Sequence, residues 1–232
     1  MQLITAALLL PALALANPVL QRQKGPPADE IKIVSAQTSG NGCPQGTVTS
    51  TIDPGRTLVT FGFDAFQTYI GPNAKQADKT KQCQIHLSLQ YPGGFQYSVV
   101  DATYHGWARL DAGVTGTFVS SYFFSQAASQ TCSTRSTISG KQWLEGDIYT
   151  KQDLIESTAV IWSPCGASGI LNVNNRIALS STNAKLTGEL SNDDATVSFT
   201  HQLHVAWQPC VVPGKGSGND WTIGGASTAI VE

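Results

Sequence analysis

The sequence has few charged residues and no strong excess of either sign. Among 232 residues, 14 are Lys or Arg and 16 are Asp or Glu, which gives a net charge of −2 at pH 7. Nucleic-acid-binding domains usually present basic surfaces, so this balance argues against a nucleic-acid partner. Beyond the amino terminus, no apolar run approaches the roughly 20 residues of a membrane helix, and we expect no membrane span.

The one sustained apolar run lies at the amino terminus. Residues 1–16 end in small residues, as a signal-peptidase site requires, which predicts a signal peptide and a secreted, extracellular protein. Residues 17–38 are polar and contain prolines, and we expect a flexible leader or propeptide there. The glycine-rich residues 212–232 predict a flexible tail. Residues 39–211 are left, enough for one domain with a core.

No segment shows the 3.6-residue apolar period of an amphipathic helix. Short β-branched and aromatic runs alternate instead with turn residues. Within residues 81–98, apolar and polar residues alternate from Cys83 to Leu89, Pro92-Gly93-Gly94 follows, and a second run begins at Phe95. This order predicts a β-hairpin. The whole chain predicts an all-β fold, an antiparallel two-sheet β-sandwich that is stabilised by disulfides and has little helix.

Five cysteines in a secreted chain predict two disulfides and one unpaired thiol. We expect the structural disulfides Cys43–Cys83 and Cys132–Cys165, with Cys210 left as the unpaired thiol. Cys210 could instead pair with Cys165 or Cys132, because spacing alone does not fix connectivity.

The sequence lacks the motifs of metal binding and nucleophilic catalysis. It contains no Cys-x-x-Cys, no Cys/His pair with ligand spacing and no Gly-x-Ser-x-Gly. His201 and His204 would face opposite sides of a strand, so we expect His201 in the core and His204 at the surface. We therefore predict no metal site, no cofactor and no assembled catalytic residues.

Four strings of the sequence are distinctive in combination. They are GCPQG at 42–46, KQCQIHLSLQYPGGFQYS at 81–98, LDAGVTG at 110–116 and WSPCG at 162–166. Together they resemble a family of small secreted fungal proteins known as domain of unknown function 4360, over about residues 40–210. The resemblance implies a fungal source and an extracellular setting, and it brings no catalytic residues with it.

A candidate binding surface lies on one predicted strand. If Tyr104, Ala108 and Leu110 face the core, an exposed Trp107 beside Arg109 could stack on a sugar or anchor a protein partner. The candidate residues are Tyr104, His105, Trp107, Arg109 and Asp111.

These observations favour a non-catalytic secreted protein that binds a component of the cell wall, a host or a substrate surface. Its partner would be a cell-wall polysaccharide or an extracellular protein. One alternative is a carbohydrate-active hydrolase, for which two of Asp64, Asp101 and Asp111 would have to lie about 5–10 Å apart. Another alternative is a secreted effector or elicitor that a host senses.

Overall fold

The computed structural model describes residues 25–166, 169–190 and 199–210. These residues form two packed antiparallel sheets, so the predicted β-sandwich is confirmed. The strands are β1 (Lys32–Ser39), β2 (Val48–Ile52), β3 (Leu58–Phe63), β4 (Thr68–Ile70), β5 (Thr80–Gln90), β6 (Phe95–Leu110), β7 (Val114–Phe124), β8 (Cys132–Ser139), β9 (Asp147–Leu154), β10 (Ile170–Ser181), β11 (Gly188–Leu190) and β12 (Phe199–Pro209).

Helical structure in these residues is limited to single turns. They are the helix α1 (Gln76–Lys79) and the 3-10 turns Ala28–Glu30, Ser125–Ala127, Lys141–Trp143 and Ser157–Ala159. None of the described helices has the length and apolar character needed to cross a membrane.

The two sheets differ in size. One contains five strands in the order β1-β5-β10-β7-β8, and the other contains seven, in the order β2-β3-β12-β6-β11-β4 with β9 paired to β6. Ala108 of β6 is opposite both Asp147 of β9 and Leu190 of β11, so those two strands flank β6 on opposite edges. The long strand β6 therefore pairs with three strands, with β9 on one edge and with β12 and β11 on the other.

The predicted hairpin at residues 81–98 is wrong, although both strands form. β5 pairs with β1 and β10, whereas β6 pairs with β12, β9 and β11, so the turn crosses from one sheet to the other. The turn carbonyls are satisfied from elsewhere, since the Gly166 amide donates to Phe95 and the Cys210 amide donates to Gly94. Alternation identifies strands and their buried faces, but it does not choose between pairing partners.

The predicted flexible leader at residues 17–38 is wrong for its second half. Strand β1 begins at Lys32 and pairs with β5 in the five-stranded sheet, and Ile31 just before it is buried in the core. The polar composition of this segment reflects an edge strand that is only half-buried. Residues 17–24, the predicted signal peptide 1–16 and the predicted tail 212–232 lie outside the described residues.

The disulfide prediction is half right. Cys43–Cys83 is present, but the second bridge joins Cys165 to Cys210 and leaves Cys132 as a buried free thiol. The predicted pair Cys132–Cys165 and the unpaired Cys210 are therefore wrong. Both Cys165 and Cys210 lie beside the turn between β5 and β6, where backbone hydrogen bonds hold their segments, whereas Cys132 begins β8 and faces the core. Each bridge closes a loop of 40 or 45 residues, which is worth roughly 4 kcal/mol in the loop-entropy model.

A hydrogen-bonded network crosses the core between the sheets. From the seven-stranded sheet, Tyr104 Oη donates to Ser120 Oγ at 2.7 Å, and the Tyr104 and His201 rings stack with centroids 4.7 Å apart. From the five-stranded sheet, Asn175 Nδ2 donates to His201 Nδ1 at 3.0 Å, while Asn175 Oδ1 accepts from Ser120 Oγ at 2.5 Å. Because Asn175 Nδ2 can only donate, His201 Nδ1 accepts, and the Nε2 proton points to Tyr122 Oη at 3.4 Å. The prediction of a core His201 is confirmed.

The unpaired thiol generates the first test. Burial raises the pKa of Cys132 to about 11, so we expect no alkylation of the native protein at pH 8 and one labelled thiol per chain after unfolding without reductant. Peptide mapping should place the label on Cys132 and find Cys43–Cys83 and Cys165–Cys210 as linked peptides. The Cys132→Ser variant should keep both bridges and lose the label. A linked peptide that joins Cys132 to Cys165 would contradict the structure.

The buried histidine generates a second test, on acid stability. Burial lowers the pKa of His201 from 6.5 to about 3. Below pH 6.5 the unfolded chain therefore takes up a proton that the native state excludes, and stability falls as pH falls. We expect His201 to remove about 1.4 kcal/mol of unfolding free energy per pH unit between pH 6 and pH 4.

Denaturant unfolding at several pH values measures this slope. His201→Gln should flatten it, whereas the surface control His204→Gln should leave the His201 contribution in place. Nitrogen NMR of the native wild type gives an independent readout, since the His201 ring should remain neutral and Nε2-protonated at pH 4.5. A His201 ring that is protonated in the folded protein at pH 5 would overturn the assignment.

Candidate functional site

The residues of the binding surface predicted from the sequence lie on both faces of strand β6. Tyr104 was included in that surface, but it faces the core and is 2 % exposed because its hydroxyl belongs to the buried network. His105, Trp107 and Arg109 lie on the outer face of the seven-stranded sheet. Asp111 follows β6 in the turn to β7. We call the outer-face group His105, Trp107, Arg109 and Ile148 the Trp107 patch.

Most polar groups of the Trp107 patch already have partners within the protein. The Arg109 guanidinium lies 5.7 Å from the Trp107 ring centroid and pairs with Glu189 at 3.5 Å. His105 Nδ1 is hydrogen-bonded to Thr150 Oγ1 at 3.0 Å. Gly146 packs so closely on the Trp107 ring that a Cβ there would come within 2.4 Å of it. The indole is therefore half-buried and partly covered.

Asp111 has a structural role in its turn. Its Oδ2 accepts hydrogen bonds from the Thr187 amide at 2.6 Å and the Thr187 hydroxyl at 2.9 Å. These bonds lower the pKa of the Asp111 carboxyl below its usual value. The carboxylate thereby joins the loop before β11 to the end of β6.

The three aspartates of the hydrolase hypothesis do not converge. Asp101 and Asp111 are ten residues apart along and just beyond the extended strand β6, which places them about 30 Å apart. Asp64 follows β3, two strands away from β6, and the strand registers put it roughly 15–20 Å from each of the others. Asp101 is instead hydrogen-bonded to His204 on the outer face. No two of the three lie at the spacing that glycoside hydrolysis needs.

A different surface brings many hydrogen-bonding side chains together. The outer face of the five-stranded sheet contains a depression of about 370 Å³ that adjoins a smaller one of about 170 Å³. The two share Val119 and Arg176, and we call them together the polar groove. Its principal polar side chains are Ser39, Gln82, Gln84, Ser121, Asn174, Arg176 and Arg135.

The register of the sheet arranges these residues in rows. One row crosses all five strands and consists of Ser39, Gln84, Asn174, Ser121 and Ser133. The next row consists of Gln82, Arg176, Val119 and Arg135. Neighbouring strands are about 4.8 Å apart, so the first row presents a polar group at that interval, and the second row does so except at Val119. Within the described residues, the side-chain amides of Gln82, Gln84 and Asn174 have no hydrogen-bond partner, and they are available to a ligand.

A histidine extends this surface beyond the first row. Asn172 lies opposite His86 and is buried although it points outward. Its Nδ2 donates to Ser125 Oγ at 2.8 Å, so its Oδ1 accepts from His86 Nδ1 at 2.6 Å. In the neutral His86 ring the proton is therefore held on Nδ1, and Nε2 can then accept a hydrogen bond.

Sequence reasoning missed the polar groove because it looked for tryptophan, paired carboxylates and nucleophile motifs. The alternating polar residues of β5 look like an ordinary solvated face. One signal was present, since none of the five strands β1, β5, β7, β8 and β10 contains Asp or Glu. The lack of Asp and Glu indicates a sheet face without carboxylates only when the five strands are known to form one sheet.

Comparison with known proteins assigns the chain to a family. The family model described as Domain of unknown function (DUF4360) matches residues 29–210. The chain belongs to this family. A relative from Arthroderma benhamiae named "Uncharacterized secreted protein" is 41% identical over 185 residues, which cover 80% of this chain and 74% of the relative. The resemblance and the extracellular localisation predicted from the sequence are confirmed.

Two solved structures resemble this DUF4360 chain remotely. One is TmCBM61 in complex with β-1,4-galactotriose, with a TM-score of 0.25 and 12% identity, covering 74% of this chain and 89% of the other. The other is the CBM22-1–GH10 part of a Clostridium thermocellum endo-1,4-β-D-xylanase 10B complexed with xylohexaose, with a TM-score of 0.24 and 11% identity, covering 63% of this chain and 26% of the other. Similarity at this level does not bear on the ligand of the DUF4360 chain.

Proposed function

We propose that this secreted DUF4360 protein binds polysaccharide without cleaving it, and that the polar groove is its binding surface. The observation that carries the proposal is the row of hydroxyl and amide side chains that crosses all five strands, of which Ser39, Gln84, Asn174 and Ser121 line a depression of about 370 Å³. Sugar hydroxyls both donate and accept hydrogen bonds, and so do serine hydroxyls and the amides of Asn and Gln.

The groove is built on a sheet rather than on loops. Side chains fixed on neighbouring strands lose little conformational freedom when a ligand binds, which favours affinity from modest hydrogen bonds. The amides of Gln84 and Asn174 gain partners on binding without breaking intramolecular bonds. A chain of sugar residues fits a surface with repeated polar groups better than a single small molecule does.

Hydrolysis is not part of the proposal. Within the part of the chain that the structure describes, no carboxylate lines the groove, and Asp64, Asp101 and Asp111 lie too far apart to act as an acid and a base. The bound polysaccharide would belong to the fungal cell wall or to the host or substrate surface on which the protein is secreted.

The Trp107 patch supports a second candidate site. Ile148 lies opposite Trp107 and is 49% exposed, and Tyr69, next to Glu189, is 50% exposed. Ile148 and the half-buried indole provide apolar surface on the opposite sheet, with Tyr69 two strands away beyond the Arg109–Glu189 ion pair, and this arrangement suits the face of a sugar ring or an extracellular protein partner. An elicitor role would use exposed surface of this kind.

Retention on polysaccharides tests the proposed function. The secreted protein should be retained by at least one of chitin, β-glucan, cellulose, xylan, galactan and pectin in pull-down or affinity electrophoresis. Loss of two amide hydrogen bonds at about 1 kcal/mol each predicts that Gln84→Ala/Asn174→Ala weakens binding at least tenfold. The control pair Thr103→Ala/Gln202→Ala changes two neighbouring residues on the outer face of the other sheet and should have no effect.

The same assay separates the two surfaces. If Tyr69→Ala/Ile148→Ala abolishes retention while Gln84→Ala/Asn174→Ala does not, the Trp107 patch is the binding site and the groove assignment is wrong. Retention on none of the polysaccharides would contradict polysaccharide binding at either surface.

A further inference from the structure

We infer that the polysaccharide bound in the polar groove is anionic and carries uronate carboxylates. This inference rests on the proposed function and adds the chemical class of the ligand. It follows from the distribution of charge over the two sheets, from the two unpaired arginines of the groove, and from the neutral residues between them.

Charge is distributed unevenly between the two sheets. The five strands that carry the groove contain no Asp or Glu, while their outer face carries Lys32, Arg135 and Arg176. Lys81 lies opposite the core residue Ile177 and is therefore on the inner side of β5. The seven-stranded sheet, in contrast, contains the acidic residues Asp101, Asp147, Asp153 and Glu189 together with the basic residues Arg109 and Lys151. Since the whole protein has a net charge of −2, the positive face reflects local placement rather than a basic composition.

The two arginines of the groove are available to a ligand. Arg176 and Arg135 lie in the same row with Val119 between them, so their backbones are about 10 Å apart. Neither guanidinium forms an ion pair or a hydrogen bond with any of the described residues, whereas Arg109 on the other sheet pairs with Glu189 at 3.5 Å. Arg135 also borders a depression at the edge of the sandwich that contains Glu156. Arg176, at the junction of the two groove depressions, is therefore the stronger anion site.

The neutral residues between the arginines suit a uronate sugar. An arginine fork binds a planar carboxylate through two parallel hydrogen bonds. The amides of Gln82 and Asn174 lie beside Arg176 and can bind the hydroxyls of the same sugar. Val119 and Ala178 provide a small apolar surface for the C–H groups of the ring. Because both depressions contain Arg176 and Val119, one polymer can cross them continuously.

Other anionic polymers fit this surface less well. Proteins that bind single-stranded nucleic acid stack its bases on aromatic side chains, and among the described residues none that lines either depression of the groove is aromatic. The hydrogen-bonding rows match a ligand that is rich in hydroxyls and carries a carboxylate at intervals. These features favour an acidic polysaccharide.

Binding of polygalacturonate and its methyl ester tests this inference, because the two polymers share a backbone and differ in free carboxylates. The secreted wild type should bind polygalacturonate at least tenfold more tightly than the methyl ester or neutral galactan. Arg176→Gln should weaken polygalacturonate binding about tenfold, Arg176→Lys should weaken it less, and added salt should weaken the wild type more than Arg176→Gln. The control Lys141→Gln removes one positive charge from an exposed 3-10 turn outside the groove and should bind normally.

The outcomes separate the inference from the proposed function. If neutral galactan or the methyl ester binds as tightly as polygalacturonate and Arg176→Gln has no effect, the uronate inference is wrong but polysaccharide binding stands. If dextran sulfate or single-stranded DNA binds as tightly as polygalacturonate, the groove recognises charge alone and the inference is also wrong. If the wild type binds none of the polysaccharides, both proposals fail.

Discussion

A buried hydrogen-bond network of Tyr104, Ser120, Asn175 and His201 fixes how the two sheets pack against each other. It joins the two sheets through polar groups that are shielded from water. A buried polar group that loses its partner costs about 1–3 kcal/mol, so a displacement of one sheet against the other would leave several such groups unsatisfied. Aromatic packing alone would tolerate small shifts, whereas the network fixes which residues of the central strands point inward.

The residues that point inward on the central strands also determine which side chains line the polar groove. Side chains alternate along a strand, so with Asn175 held in the network its neighbours Asn174 and Arg176 must point outward. Ser120 similarly places Ser121 on the outer face, and the disulfide of Cys83 places Gln82 and Gln84 there. A slip of one residue in β10 would turn Arg176 into the core, where an unpaired guanidinium is very costly. The strand register that buries the hydrogen-bond network therefore also places the polar side chains of the groove on the outer face.

This coupling explains how much the sequence could predict. Alternation correctly identified the two strands within residues 81–98, the inward side of β5 and the core position of His201, but it missed strand β1. It could not predict that β5 and β6 belong to different sheets or that Cys165 meets Cys210, because both depend on contacts between distant segments around the Gly94 turn. The groove was missed for the same reason. Its rows are assembled from five strands, and each strand alone shows only ordinary polar residues.

The Cys43–Cys83 disulfide fixes one end of the polar groove, and disulfides of this kind persist in the oxidising environment outside the cell. Ser39, Gly40 and Cys83 line one end of the larger depression. The segment after β1 is fixed there by the bridge, by the Gly42 amide donating to the Gln82 carbonyl, and by the Gln82 amide donating to Asn41 Oδ1. A wall that is already held in place need not be ordered when a polymer binds, which lowers the entropic cost of binding. Because such a bridge persists only under oxidising conditions, the groove is complete in the compartment to which the protein is secreted.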